Sequence, residues 1–192
     1  MAEIKSALEL ALEKAERFGK ASPQEMQEVK WQDQARHLAA EFLREKIELE
    51  PELQKLPPEA QPALAKYIKE VLLRNITLPR EGLVDDANKR AQAGMLQVAR
   101  DKKTTQRVLQ EIAQIYASYE QVRQNALQQY KAQFNAQLDN ARKSLEAKMQ
   151  RPLNIDVEHT PQFQEQLRAF EAQLNQQFEP LLEKHKAMLL TL

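Results

Sequence analysis

Three groups of residues have types and spacings that could do chemistry. Asp33, His37 and Glu41 recur every four residues, so a helix would align them along one flank. Two carboxylates and an imidazole so placed could hold a divalent cation. The pattern is not His-Glu-x-x-His, and such a ladder on a solvated face ordinarily does no more than support its helix. In "VEHT", Glu158 directly precedes His159. The Glu-x-x-His pair of di-iron bundles needs a three-residue step, so this is not that site. The stretch "ARDKKTTQR", residues 99–107, concentrates Arg100, Lys102, Lys103 and Arg107. A phosphate or a nucleic acid could meet such a cluster, although clusters of this size are more commonly plain solvated surface.

Aromatic residues are the fourth resource. Tyr116, Tyr119, Tyr130, Phe134, Phe163, Phe170 and Phe178 could stack bases. Their helical spacing marks them instead as core. Trp31 and His185 suggest nothing by themselves. The chain has no cysteine, which excludes disulfides, thiolate zinc sites and cysteine nucleophiles. It contains neither a glycine-rich phosphate loop nor Gly-x-Ser-x-Gly. No catalytic, cofactor-binding or metal-binding residue is therefore assigned, and the chain reads as non-enzymatic.

These residues need elements to position them. Ile4, Ala7, Leu8, Ala11, Leu12, Ala15 and Phe18 predict a helix over 3–18, with Gly19 as its stop. "SPQE" predicts a capping box: Ser22 at the N-cap, Pro23 at N1 and Glu25 at N3. The helix it opens should run to about Ile47 and bury Trp31, Ala35, Leu38, Ala39 and Phe42. Prolines 51, 57, 58 and 62 then break the chain. A short helix over 62–74 should turn Leu64, Tyr67, Ile68, Val71 and Leu72 inward. "NITLPREG" alternates Ile76 and Leu78 with polar residues, which suits one short strand. It could pair with Leu153, Ile155 and Val157 in "RPLNIDVEHTP" as a small clip.

Asp85 is a good N-cap for a helix with a small inner face: Ala87, Ala91, Gly94 or Met95, and Val98. Residues 100–106 read either as a break or as a solvated turn of one continuous helix. From Val108 to Met149 an apolar stripe runs through Ile112, Ile115, Tyr119, Val122, Ala126, Tyr130, Phe134, Leu138, Ala141 and Leu145. It covers forty-one residues in eleven steps, about 3.7 per step, nearer the 11-residue period than the heptad. Pro152 should stop this helix, and Thr160-Pro161 should start the last one. The last stripe is Phe163, Leu167, Phe170, Leu174, Phe178, Leu181, His185 and Met188, with a kink expected near Gln176 from Pro180.

Lys+Arg and Asp+Glu are both 28, so the basic excess of a nucleic-acid binder is missing. Residues 83–150 carry 11 basic and 7 acidic side chains, residues 1–50 carry 8 and 11, and the two regions could attract one another. The N-terminus mixes charge throughout, unlike a signal peptide, and no run of about 18 apolar residues occurs. The expected compartment is the cytoplasm, with no membrane contact.

The opening "MAEIKSALELALEKAE" resembles the start of a family of small, uncharacterised bacterial cytoplasmic proteins. The resemblance implies a long helical middle and a C-terminal amphipathic helix. It implies no activity and carries over no site.

The sequence thus predicts an all-α chain: a long antiparallel, coiled-coil-like helical hairpin over 83–192, preceded by shorter helices over 1–82. The two regions should form one structural unit. The expected role is a structural or protein-interaction protein that assembles through helix-to-helix contacts. A homodimer is expected, with a further protein partner unidentified, and Tyr130, Phe134 and Leu138 lie on the stripe that would meet a neighbour. The alternative is a regulatory or nucleic-acid-associated module using Arg100, Lys102, Lys103 and Arg107.

Overall fold

A computed structural model describes residues 22–80, 82–149 and 156–192, with Pro23 and residues 140–149 described by backbone alone. The helix predicted over 3–18 and the opening residues of the resemblance lie outside the described residues. The chain is all-α. Among the described residues there are six α-helices: α1 (Pro23–Leu43), α2 (Leu49–Gln54), α3 (Gln61–Leu73), α4 (Asp86–Val98), α5 (Lys102–Met149) and α6 (Pro161–Thr191). A 3₁₀ turn, Val157–His159, precedes α6. No helix of the described residues is long and apolar enough to cross a membrane.

Local side-chain caps set three of the six helix starts. The Ser22 hydroxyl accepts from the Glu25 N–H, and the Glu25 carboxylate accepts from the Ser22 N–H, completing the capping box. Asp85 caps α4 through the Asn88 N–H. Asp101 caps α5 through the Thr104 N–H and hydroxyl, and these bonds hold its carboxyl below the usual range. The chain therefore does break before α5, at Ala99, whose extended backbone ends α4.

Three expectations change. The first helix stops at Leu43, four residues short of Ile47, because Glu45 takes the left-handed conformation at φ 60°. The guanidinium of Arg90 holds that turn by donating to the carbonyls of Phe42 and Ile47. The proline-rich stretch contains a helix, α2, that the sequence did not predict. Pro51 falls in its first turn, where the missing N–H would have had no intrahelical partner. Residues 76–79 form neither helix nor strand, and an isolated antiparallel bridge, Arg80 with Leu83, stands nearby. Ile76 and Leu78 are buried. Their alternation thus reports burial of an irregular segment, not a strand. Val157 lies in the 3₁₀ turn, and most of the rest of the proposed clip, residues 150–155, lies outside the described residues.

One core joins residues 35–78 to residues 91–189. Phe42, Leu49, Leu64, Ile68, Leu72, Ile76, Met95, Val108, Ile112, Leu182 and Leu189 are its largest fully buried members. Gly94 permits its tightest contact. A Cβ there would sit 2.5 Å from Phe42 Cε1 and 2.9 Å from Leu72 Cδ1, so α4 reaches α1 and α3 only without a side chain at that position.

Helices α5 and α6 run antiparallel, as their partners show. Tyr119 meets Phe178, Tyr130 meets Phe170, and Phe134 meets Phe163, all edge to face at 5.4–5.9 Å. Phe134, Val157 and Phe163 form a second, small core with Leu127, Tyr130, Leu138 and Leu167 packed against it. Between the two cores lies a polar layer. Arg123 donates to Glu171 at 2.7 Å, and the Tyr119 hydroxyl donates to Asn175. The stripe turns aside there: Val122 is 42% exposed, and Arg123 packs inward in its place. Beyond Pro180 the buried residues are Leu182 and Leu189, while Leu181 and Met188 are exposed. That half of α6 packs against α3 as well as α5, so the face it buries is rotated by one residue. The helix is continuous through Pro180.

Candidate functional site

The residues that could do chemistry have separate fates. In the ladder on α1, Arg36 binds Asp33 at 3.0 Å and His37 faces Glu41 at 3.5 Å. Among the described residues no group of three His, Asp or Glu side chains converges as metal ligands would. His159 Nδ1 pairs with Asp156 at 2.9 Å, and Glu158 pairs with Lys131 across the turn at 2.6 Å. His185 Nδ1 lies 2.7 Å from the Leu181 carbonyl, with Nε2 3.3 Å from Glu111 on α5. Tyr130, Phe134 and Leu138 pack toward α6 and the 3₁₀ turn.

The basic cluster is divided by the start of α5. Lys102 reaches back to Glu50 on α2 at 2.9 Å, and Arg107 lies 3.9 Å from Glu111. Lys103 is exposed. Arg100 sits in the break between α4 and α5, where its N–H donates to the carbonyl of Leu192 at the end of α6. Its side chain lines a cleft of about 240 Å³ between α2, the start of α3 and the end of α4. Gln54, Gln61 and Gln97 share that lining with apolar Leu53, Pro62 and Ala65.

The walls of this cleft are held by contacts between distant residues. Helix α2 has no side-chain cap of its own. The carbonyl of Gln97 accepts from the N–H groups of Leu49 and Glu50, and its amide donates to Glu48. Arg90 binds the other oxygen of Glu48 at 2.7 Å. The hydrogen bonds from Gln97 and then Arg90 hold the Glu48 carboxyl below its usual range. One glutamine on α4 thus caps α2 and fixes the acidic edge of the cleft.

Sequence reasoning found Arg100 in this region and missed Gln97, and it also missed Lys69, which does not line the cleft. Lys69 is on α3 and only 6% exposed. Burial, and then the nearby Arg100, push its amine below the usual lysine range. Gln97 gave no signal, because a cap supplied from 48 residues away leaves no local pattern.

Two buried phenols give the fold a pH limit. Burial raises Tyr116 and Tyr119 above the ordinary tyrosine range. Each therefore keeps its proton longer folded than unfolded. The stability this contributes is complete below the unfolded value, about 10, and is lost as pH rises through the higher folded values. Alkaline denaturation followed by circular dichroism should steepen above that point. Tyr116→Phe should flatten the fall, and an unchanged profile would contradict the assignment.

Residues 50–191 match a family of unknown function, DUF6657. The match takes in the cleft from Glu50 onward, all of α3–α6, the small core, and the main core apart from Leu49 and its members on α1. It does not reach the opening residues that resemble another beginning. No curated protein and no solved structure matches the chain.

Proposed function

The chain belongs to this family of unknown function, and from its geometry we propose a non-enzymatic protein that assembles with a second copy of itself through helix-to-helix contacts. One observation carries the reading. Helix α5 has 48 residues and α6 has 31. The start of α6 meets α5 at Phe134, and α5 continues to Met149. Fifteen further residues extend it by about 22 Å past that contact. Leu138, Ala141, Leu145 and Met149 recur there at helical spacing in the sequence. A two-fold related copy would give that extension a matching partner. Burial of such a stripe contributes about 25 cal/mol per Å². The exposed Val122 and Leu181 add apolar surface nearer the main core.

The non-enzymatic part of the reading is supported by the fates of the polar side chains. The ladder on α1 and His159 are occupied by local partners, and His185 faces Glu111 on α5. With Lys102 and Arg107 facing carboxylates, the nucleic-acid alternative has less free charge than the sequence suggested.

Sedimentation equilibrium of the full chain at micromolar concentration is the test. The expected mass is twice the 22.2 kDa of one chain. Leu145→Glu should weaken the dimer by about tenfold or more, the cost of placing one charge in an apolar seam. A monomer at these concentrations, or a dimer indifferent to Leu145→Glu, would remove the proposal.

A further inference from the structure

We propose that residues 157–167, the 3₁₀ turn and the first two turns of α6, form a strap that lifts from α5 as one unit while the rest of α6 stays on the main core. The inference does not depend on self-assembly. It starts from how unequally α6 is held. Beyond Phe170 the helix sends Leu174, Leu182 and Leu189 into the main core, each almost wholly buried. Before Phe170, Val157 and Phe163 are buried against Phe134, with Leu127, Tyr130, Leu138 and Leu167 partly buried around them. Lys131 also ties α5 to Glu158 at 2.6 Å, but the two side chains are 35% and 46% exposed, and water screens such a pair. The first turn of α6 has no side-chain cap, because the Thr160 hydroxyl donates to the Val157 carbonyl instead. A helix start without a cap leaves its backbone donors to water and opens more readily. Within the strap, that bond and the donation from the Gln164 amide to the Glu158 carbonyl join the turn to the helix, so the two move together.

The joint is the polar layer between the two cores. Arg123, buried but for 11% of its side chain, donates to Glu171, and the Tyr119 hydroxyl donates to Asn175 at 2.8 Å. Parting either pair would strand a buried polar group, so the layer itself stays closed. It also interrupts the apolar contact along the hairpin. Apolar burial that is not continuous across a layer need not be lost all at once, and the side with less of it opens first. Phe170 stands at the joint, edge to face with Tyr130 and packed against the main core. Lifting of the strap uncovers Phe134 on α5, just before the extension that runs on to Met149.

Amide hydrogen exchange of the full chain reads the opening directly. The amides of residues 165–168 should exchange at least about tenfold faster than those of residues 182–189, through an opening that low denaturant barely changes because it exposes little surface. Phe163→Ala should widen that difference by about tenfold or more and leave residues 182–189 as they are. Arg123→Leu combined with Glu171→Leu should narrow it, because an apolar layer would join the two cores into one. Simple fraying of a helix end would not respond to the pair of changes at the layer. Equal exchange in the two groups of amides, or a difference that the double variant leaves in place, would overturn the proposal. So would Phe163→Ala speeding both groups alike, and this second variant decides the matter if the double variant does not fold.

Discussion

Phe42→Ala is expected to lower the free energy of unfolding by about 3–5 kcal/mol, the range for deleting a fully buried aromatic ring. Phe42 is wholly buried at the meeting of α1, α3 and α4. Its ring occupies the space left by Gly94, whose missing side chain has no other purpose in the middle of α4. The guanidinium of Arg90 lies on the ring, 4.1 Å from its centroid. Removing the ring therefore opens a cavity that the neighbouring backbone cannot close. It also removes the platform that aims Arg90 at the carbonyls of Phe42 and Ile47. The turn after α1 and the placement of Glu48 should loosen together. For a domain whose total stability is about 5–15 kcal/mol, this is a large share. Denaturant titration measures it, and a loss below about 1 kcal/mol would show that the three helices do not meet as described.

Asn88→Ala is expected to cost about 2–3 kcal/mol, because it leaves buried polar groups without partners. Asn88 is 1% exposed. Its amide donates to the Thr77 carbonyl at 2.7 Å and to the Tyr116 hydroxyl at 3.3 Å. Its carbonyl accepts from Gln92. The residue thus fastens the irregular segment after α3 to α4 and α5. Asn88 is also the one neighbour that pulls the Tyr116 phenol down against the effect of burial. The variant should therefore push Tyr116 further up, which ultraviolet titration of the phenols reads independently of stability. A variant with wild-type stability and an unmoved Tyr116 would contradict the network.

The helices other than α2 were legible in the sequence, and particular residues show why. Ser22, Pro23 and Glu25 satisfy backbone donors within one turn, so the start of α1 is written in four consecutive letters. Asp85 does the same for α4. The stripe through Tyr119, Tyr130 and Phe134 repeats with the pitch of a helix, and all three rings pack edge to face. Arg100 was visible as a member of a basic run. Its separation from Lys102 was not, because that depends on Asp101 capping a new helix and on Glu50 lying opposite.

The sequence by itself determined the all-α class, the caps at Ser22 and Asp85 and most of the apolar faces, since each follows from interactions no more than four residues long. Only the tertiary structure decided the rest: Gln97 capping α2, Arg90 ending the turn after α1, Arg123 displacing Val122, and Leu182 chosen over Leu181. In each case the free energy comes from a partner some 40 or more residues away in the chain, or from a second helix pressing on the face. A hydrogen bond to a distant backbone group satisfies the same donors as a local cap, and it leaves no trace in the spacing of neighbouring residues.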